Sequence, residues 1–210
     1  MGTEHLEQAV NVQAISRPGT SIHYSAKKQK GNGVMMANAM TIGTEPTFIE
    51  VKQMRFLIMD APRQGNLHLY IKKLRKHHVT DIVRYCEPTY KSEDLTNAGI
   101  RLHEMEFKDG TSPSKEIIMA WLQLVDKTFF QGAADNACIA VHCVAGLGRA
   151  PQMVAIALIE FGGMDPVEAV SYIRERRRGA INEKQLLYLE GYRKQYKRAG
   201  GAEGGCCVIL

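Results

Sequence analysis

An almost unbroken apolar run, ACIAVHC over residues 137–143, passes directly into the glycine-bearing VAGLG and then into a helix-like stretch beginning near Arg149. A strand that is apolar along its whole length, and not only on alternate residues, must be covered on both faces. That requirement fits a mainly parallel sheet with helices on either side.

The flanking segments alternate in the same sense. TFIEV (47–51), RFLIMD (55–60), VTDIVRYC (79–86) and IRLHEMEF (100–107) read as strands. NLHLYIKKLRKHH (66–78), a segment near 114–130 carrying the single tryptophan, Trp121, and a stretch from about 149 to 161 read as helices. Two more helices have well-marked starts. Asp165-Pro166-x-Glu168 supplies an N-cap, a first-turn proline and a capping-box acid, and Asn182 with Gln185 offers the same pairing. The expected fold class is therefore α/β, a central mainly parallel sheet flanked by helices. It spans 47–198, preceded by a flexible arm, 1–46, and followed by a flexible tail, 199–210.

A chain of 210 residues that is 45% hydrophobic can bury one sizeable core. Its net charge of +5 is mild, with much of the excess in RERRR (174–178) and RKQYKR (193–198), which points to an anionic surface or ligand and away from nucleic acid. Arg174, Arg176, Arg177 and Arg178 read as a solvated helix end that suits the helix dipole. Five cysteines (Cys86, Cys138, Cys143, Cys206 and Cys207) form no CxxC pair, so a reducing compartment is expected, with no zinc site and no cofactor. The apolar runs fall well short of the roughly 20 residues that a membrane span needs.

The chemistry concentrates on Cys143 and Arg149. The bare Cys-x5-Arg spacing is cheap: five cysteines and arginine at roughly one residue in twenty produce it by chance about a quarter of the time. Its setting is more specific. A strand, a short loop and a helix start put the amides of residues 144–149 around a point above the Cys143 sulfur, where they favour an anion. The same field stabilises a thiolate, the nucleophilic form of cysteine. Gly146 and Gly148 let the loop curl tightly, and the Arg149 guanidinium can grip two phosphate oxygens where lysine could not. His142 either fixes the loop through its ring or is a plain buried histidine. Displacing an alcohol from phosphate requires a proton donor on a nearby segment, and Asp109 in EFKDGTSP (106–113) offers one. The bland alternatives are a buried cysteine beside a turn and a solvated turn aspartate.

Taken with RFLI, VTDIVRYCEPTY, FKDG and RRGAINEKQLLYLE, the stretch VHCVAGLGRAP resembles the protein tyrosine phosphatases of the regenerating-liver type, over about residues 48–198 and on into the terminus. The resemblance implies Cys143 as nucleophile, Arg149 and the loop Val144, Ala145, Gly146, Leu147 and Gly148 as the phosphate cradle, and Asp109 as general acid. It implies a cysteinyl-phosphate intermediate, and with Ala150 in place of the hydroxyl residue common after the arginine, slow release of that phosphate. It further implies a reversible disulfide between Cys86 and Cys143, a phosphoprotein substrate, and binding of cyclin-M-type magnesium transporters through the catalytic face. The sequence departs from the family at Met105-Glu106-Phe107-Lys108-Asp109-Gly110, which lacks the tryptophan, proline and first acid of the usual acid loop. Gln185, whose counterpart in several phosphatase families orients the hydrolytic water, reads here as a helix cap.

The last four residues, Cys207-Val-Ile-Leu210, fit a prenylation signal on Cys207, and a terminal leucine favours geranylgeranyl. A prenyl chain with Arg193, Lys194, Lys197 and Arg198 makes two signals for an anionic leaflet. The expected location is cytoplasmic and peripheral, at the cytoplasmic face of the plasma membrane or of endosomes.

Overall fold

The structure, a computed structural model, describes residues 41–132 and 136–198. Five strands form one sheet: β1 (Thr47–Val51), β2 (Met54–Met59), β3 (Val79–Arg84), β4 (Arg101–Glu104) and β5 (Cys138–His142), in the order β1-β2-β5-β3-β4. Only the β1–β2 hairpin is antiparallel, so the mainly parallel sheet read from the sequence is what forms. The central strand is β5, all five of whose residues are buried. That is why its sequence is apolar on both faces.

Alternate residues divide the core in two. Phe56, Ile58, Val83, Ile139 and Val141 point to one side, beneath α3 (Lys115–Phe130), α4 (Arg149–Ala157), α5 (Pro166–Arg176) and α6 (Glu183–Gly191). Leu57, Met59, Ile82, Cys138 and Ala140 point to the other, beneath α1 (Leu67–Lys76) and the short α2 (Glu93–Asn97), which the sequence pattern did not announce. The helix starts follow side-chain chemistry. Ser114 accepts from the Ile117 amide, Asp165 from the Glu168 amide, and Asn182 and Gln185 complete a reciprocal capping box. The stretch expected to be helical to 161 leaves α geometry after Ala157 and ends in a single π turn, Leu158–Gly162, before Gly163 turns left-handed (φ 82°).

The edge strand β4 is locked by a buried carboxylate. Asp81 on β3 is fully buried and accepts from Arg101 Nε and Nη2 at 2.8 and 2.7 Å, from Thr80 Oγ1 at 2.7 Å, and pairs with His103 Nε2 at 2.8 Å. Burial alone would raise its pKa, but the bonds from His103, Arg101 and Thr80 hold it down at about 2.

Residues at both margins of the domain pack on it. Thr41 O accepts from Asn66 Nδ2 at 2.8 Å and the Thr44 amide donates to Asp60 at 3.1 Å, so 41–46 lie against the domain although the sequence grouped them with the arm. At the other margin the Gln195 amide and the Tyr192 hydroxyl donate to Glu160, while Tyr196 and Arg198 meet the buried Asp126. No helix among the described residues is long and apolar enough to cross a membrane.

Candidate active site

At the carboxyl end of β5 the chain turns through Cys143 and residues 144–148 into α4, and Cys143 is 3% exposed at the base of that turn. The loop is shaped by what holds its carbonyls. Val144 O accepts from the Ala61 amide at 3.0 Å, Ala145 O from Arg177 Nη2 at 3.4 Å, Gly146 O from Arg177 Nε at 2.6 Å, and Leu147 O from the Ile181 amide at 2.7 Å. In a trans peptide the carbonyl and the following amide point in opposite directions. Four carbonyls tied outward therefore turn the amides of residues 145–148 inward, and none of these amides donates to another group among the described residues. The result is a concave nest of N–H dipoles closed by the N-terminus of α4, a site suited to an anion.

Gly146 is the residue on which this curl depends. Its φ is +67°, and a Cβ there would stand 2.4 Å from Met59 O and 2.6 Å from Arg177 Nη2. Neither the backbone conformation nor the space admits a side chain.

Arg149 is 3% exposed, and its Nη1 donates at 2.9 Å to both Tyr85 O and Phe107 O. That bridge fastens the end of β3 and the 105–110 segment to the loop. Nη2 carries no bond among the described residues, and Nε has only a loose pairing, 3.4 Å, with Asp109 Oδ1. The edge of the guanidinium that could take a phosphate is thus unspent. Asp109 is itself largely exposed and reaches this point from the flank.

His142 is fully buried, and burial, reinforced by Arg84 and Arg149, pushes its pKa down to about 4, so it is neutral at neutral pH. Nδ1 lies 3.4 Å from Cys143 O, which can only accept, so Nδ1 carries the proton and Nε2 accepts from Tyr90 Oη at 2.7 Å. Of the two readings of His142, the ring that fixes the loop is the one seen. Cys86 lies on the same side, its sulfur 3.9 Å from His142 Nδ1. Burial raises its thiol to about 11, with Arg149 pulling it down and Cys143 pushing it up. Cys86, Cys138 and Cys143 are all free.

The residues singled out by sequence, Cys143, Arg149, Asp109, Cys86 and the 144–148 loop, are thus brought together at one end of the sheet. One other was misjudged. Arg177, expected in a solvated helix end, is 4% exposed and holds the loop from beneath. The signal was available: Ala169, Val170, Ile173 and Arg177 follow one helical stripe, which places Arg177 on the buried face. Gln185 does form its cap, but it also bonds Gln152, a fully buried residue that the sequence did not single out. Arg198, read as part of a membrane-facing basic cluster, pairs with Asp126 at 2.9 Å. Cys206 and Cys207 lie outside the described residues.

The chain is similar to known proteins. A family model described as "Dual specificity phosphatase, catalytic domain" matches residues 63–194. The chain is 49% identical over 151 residues to a probable protein tyrosine phosphatase type IVA A of Dictyostelium discoideum, covering 72% of this chain and 89% of that one. It is 44% identical over 168 residues to the human protein tyrosine phosphatase type IVA 3, covering 78% and 95%. The solved structure of a putative protein tyrosine phosphatase from Leishmania major superimposes with a TM-score of 0.67 at 38% identity, over 72% of this chain and all of the other. With the nest, the buried arginine and the cysteine beneath them in hand, these likenesses show that the chain belongs to the dual specificity phosphatase family and, within it, to the type IVA protein tyrosine phosphatases.

Proposed function

We propose that the protein is a protein tyrosine phosphatase that works in two steps through a phosphorylated Cys143. The observation that carries this reading is the set of four outward-tied carbonyls, which turns the amides of 145–148 to the inner side of the loop that Cys143 opens. In the first step the Cys143 thiolate attacks phosphorus while the ester P–O bond breaks. Asp109 gives its proton to the departing oxygen, and the loop amides and Arg149 hold the equatorial oxygens. In the second step water attacks the same phosphorus, Asp109 takes a water proton, and the S–P bond breaks to restore the thiolate. Ala150 is fully buried and has no hydroxyl to assist the leaving sulfur, which supports a slow second step.

Rapid-quench measurement with an aryl phosphate tests this directly. A burst of product equal to enzyme, then slow turnover, is expected. Cys143→Ser should abolish both phases, and the absence of a burst from reduced wild type would sink the two-step reading.

The catalytic face also supports a reading as a protein-binding surface. Val144 and Leu147, at the loop rim, are 57% and 38% exposed, an apolar margin that suits docking on a protein such as a cyclin-M-type magnesium transporter. If that role stands apart from catalysis, Asp109→Ala will keep affinity for a transporter domain while losing leaving-group protonation; equal loss of both contradicts the separation. Redox control through Cys86 is supported by its position beside His142 and within the field of Cys143. Recovery from peroxide on reduction should be better in wild type than in Cys86→Ser. Anchoring to an anionic leaflet through Cys207 and Arg193, Lys194 and Lys197 would be lost in Cys207→Ser, with the protein leaving the membrane fraction.

A further inference from the structure

Gln152 lies in the first turn of α4, three residues after Arg149, with no exposed surface. Its Oε1 accepts from Gln185 Nε2 at 3.1 Å, while its own Nε2 has no partner among the described residues. An unpaired buried donor is destabilising, and an apolar side chain of the same length would avoid it. The feature that sets this position apart is the bond to Gln185.

That bond is the second of two that pin the Gln185 amide, whose Oε1 also accepts from the Asn182 amide at 3.1 Å. A side-chain amide has two N–H groups and two oxygen lone pairs. Each pinning bond uses one, so one N–H and one lone pair remain, in fixed directions. The pinned amide borders the catalytic loop. A Cβ on Gly148 would lie 3.2 Å from Gln185 Nε2, 3.6 Å from Gln185 Oε1 and 3.9 Å from Asp109 Oδ1. Amide and carboxylate therefore flank the same point of the loop.

We propose that Gln152 is a positioning residue for the second chemical step, fixing the Gln185 amide so that it and Asp109 together receive the water that cleaves the Cys143 thiophosphate. The inference rests on the two-step reading above. In that step the water oxygen forms a bond to phosphorus as the S–P bond breaks. The bonding pair leaves with sulfur as the thiolate, and one water proton passes to the Asp109 carboxylate. Gln152 touches no reacting atom. With no hydroxyl at position 150 to aid the sulfur, orientation of the water is a means of acceleration that the site retains.

The test is Gln152→Met in the full chain. Methionine has nearly the same length and fills the same space, but offers no comparable acceptor to Gln185. Rapid-quench kinetics should show phosphocysteine forming at the wild-type rate and decaying about three- to tenfold more slowly, as loss of one orienting hydrogen bond implies. An unchanged decay rate overturns the inference. So does an equal fall in both rates with a lowered thermal midpoint, which would mark a packing role. Wild type that forms no phosphocysteine overturns the two-step reading, and this inference falls with it; wild type that forms it while Gln152→Met decays normally overturns this inference alone.

Discussion

Replacing Arg149 with lysine is expected to lower kcat/KM for an aryl phosphate by about a hundred- to a thousandfold, the size of effect seen when a directed donor is removed from a developing anion. Charge is conserved in this change, so the loss has to come from geometry. Nη1 alone already serves two carbonyls, Tyr85 O and Phe107 O, each at 2.9 Å, while Nε and Nη2 keep the other edge of the plane for ligand. A lysine ammonium is a single point with three donors and cannot bridge those carbonyls while also offering a two-pronged edge to phosphate. The Phe107 contact adds a second loss. It lies two residues before Asp109, so releasing it loosens the segment that carries the proton donor. Both the rate of phosphocysteine formation and the dependence on leaving-group pKa should change, since protonation matters most for poor leaving groups. A lysine variant within tenfold of wild type on a phenyl ester would mean that simple charge, and not the bridging fork, is what position 149 contributes.

How much of this was legible beforehand depended on the range of the interactions involved. The run 137–143 was readable as a strand apolar along its length, and the structure places that strand at the centre of the sheet. Asn182 with Gln185 specified a helix start because a capping box is closed within three residues. Cys143 and Arg149 were readable because strand, loop and helix start are contiguous. Bounds and partners set at a distance were not. β4, read as a strand over 100–107, stops after four residues, and its anchor is the pairing of Arg101 with Asp81, twenty positions earlier. The π turn at Leu158–Gly162 has no local mark of that kind. The helical stripe of Ala169, Val170 and Ile173 marked Arg177 as buried, but not what it holds, because its partners, Gly146 O and Thr47 Oγ1, are 31 and 130 residues away. Gln152 was hidden for the same reason: its partner lies 33 residues on, and nothing beside it in sequence signals a buried amide.

Arg177 is where a residue far from the chemistry should matter most. Arg177→Met is expected to cost about 1.5–3 kcal/mol of stability, the range for losing hydrogen bonds from a buried charged group. It should also weaken binding of phosphate or an oxyanion analogue to whatever folded protein remains. The side chain is 4% exposed, and its guanidinium donates to Gly146 O at 2.6 Å, Thr47 Oγ1 at 3.0 Å, and Ala145 O and Ile58 O at 3.4 Å. Burial lowers its pKa, opposed first by the nearby Asp60, so the cation that the core disfavours keeps a compensating charge beside it. Methionine can occupy the space of the aliphatic stem but donates nothing. Ala145 O and Gly146 O then lose their tether, and the peptide planes that aim the Gly146 and Leu147 amides inward are free to turn. Stability and anion affinity should fall together, because one bond set supports both. Arg178→Met is the control: Arg178 is exposed one position along, and changing it should leave the thermal midpoint and anion affinity near wild type. Were the two variants alike, the loop would be held by the Ala61 and Ile181 backbone bonds alone, and Arg177 would be the ordinary helix-end cation that its sequence neighbours suggest.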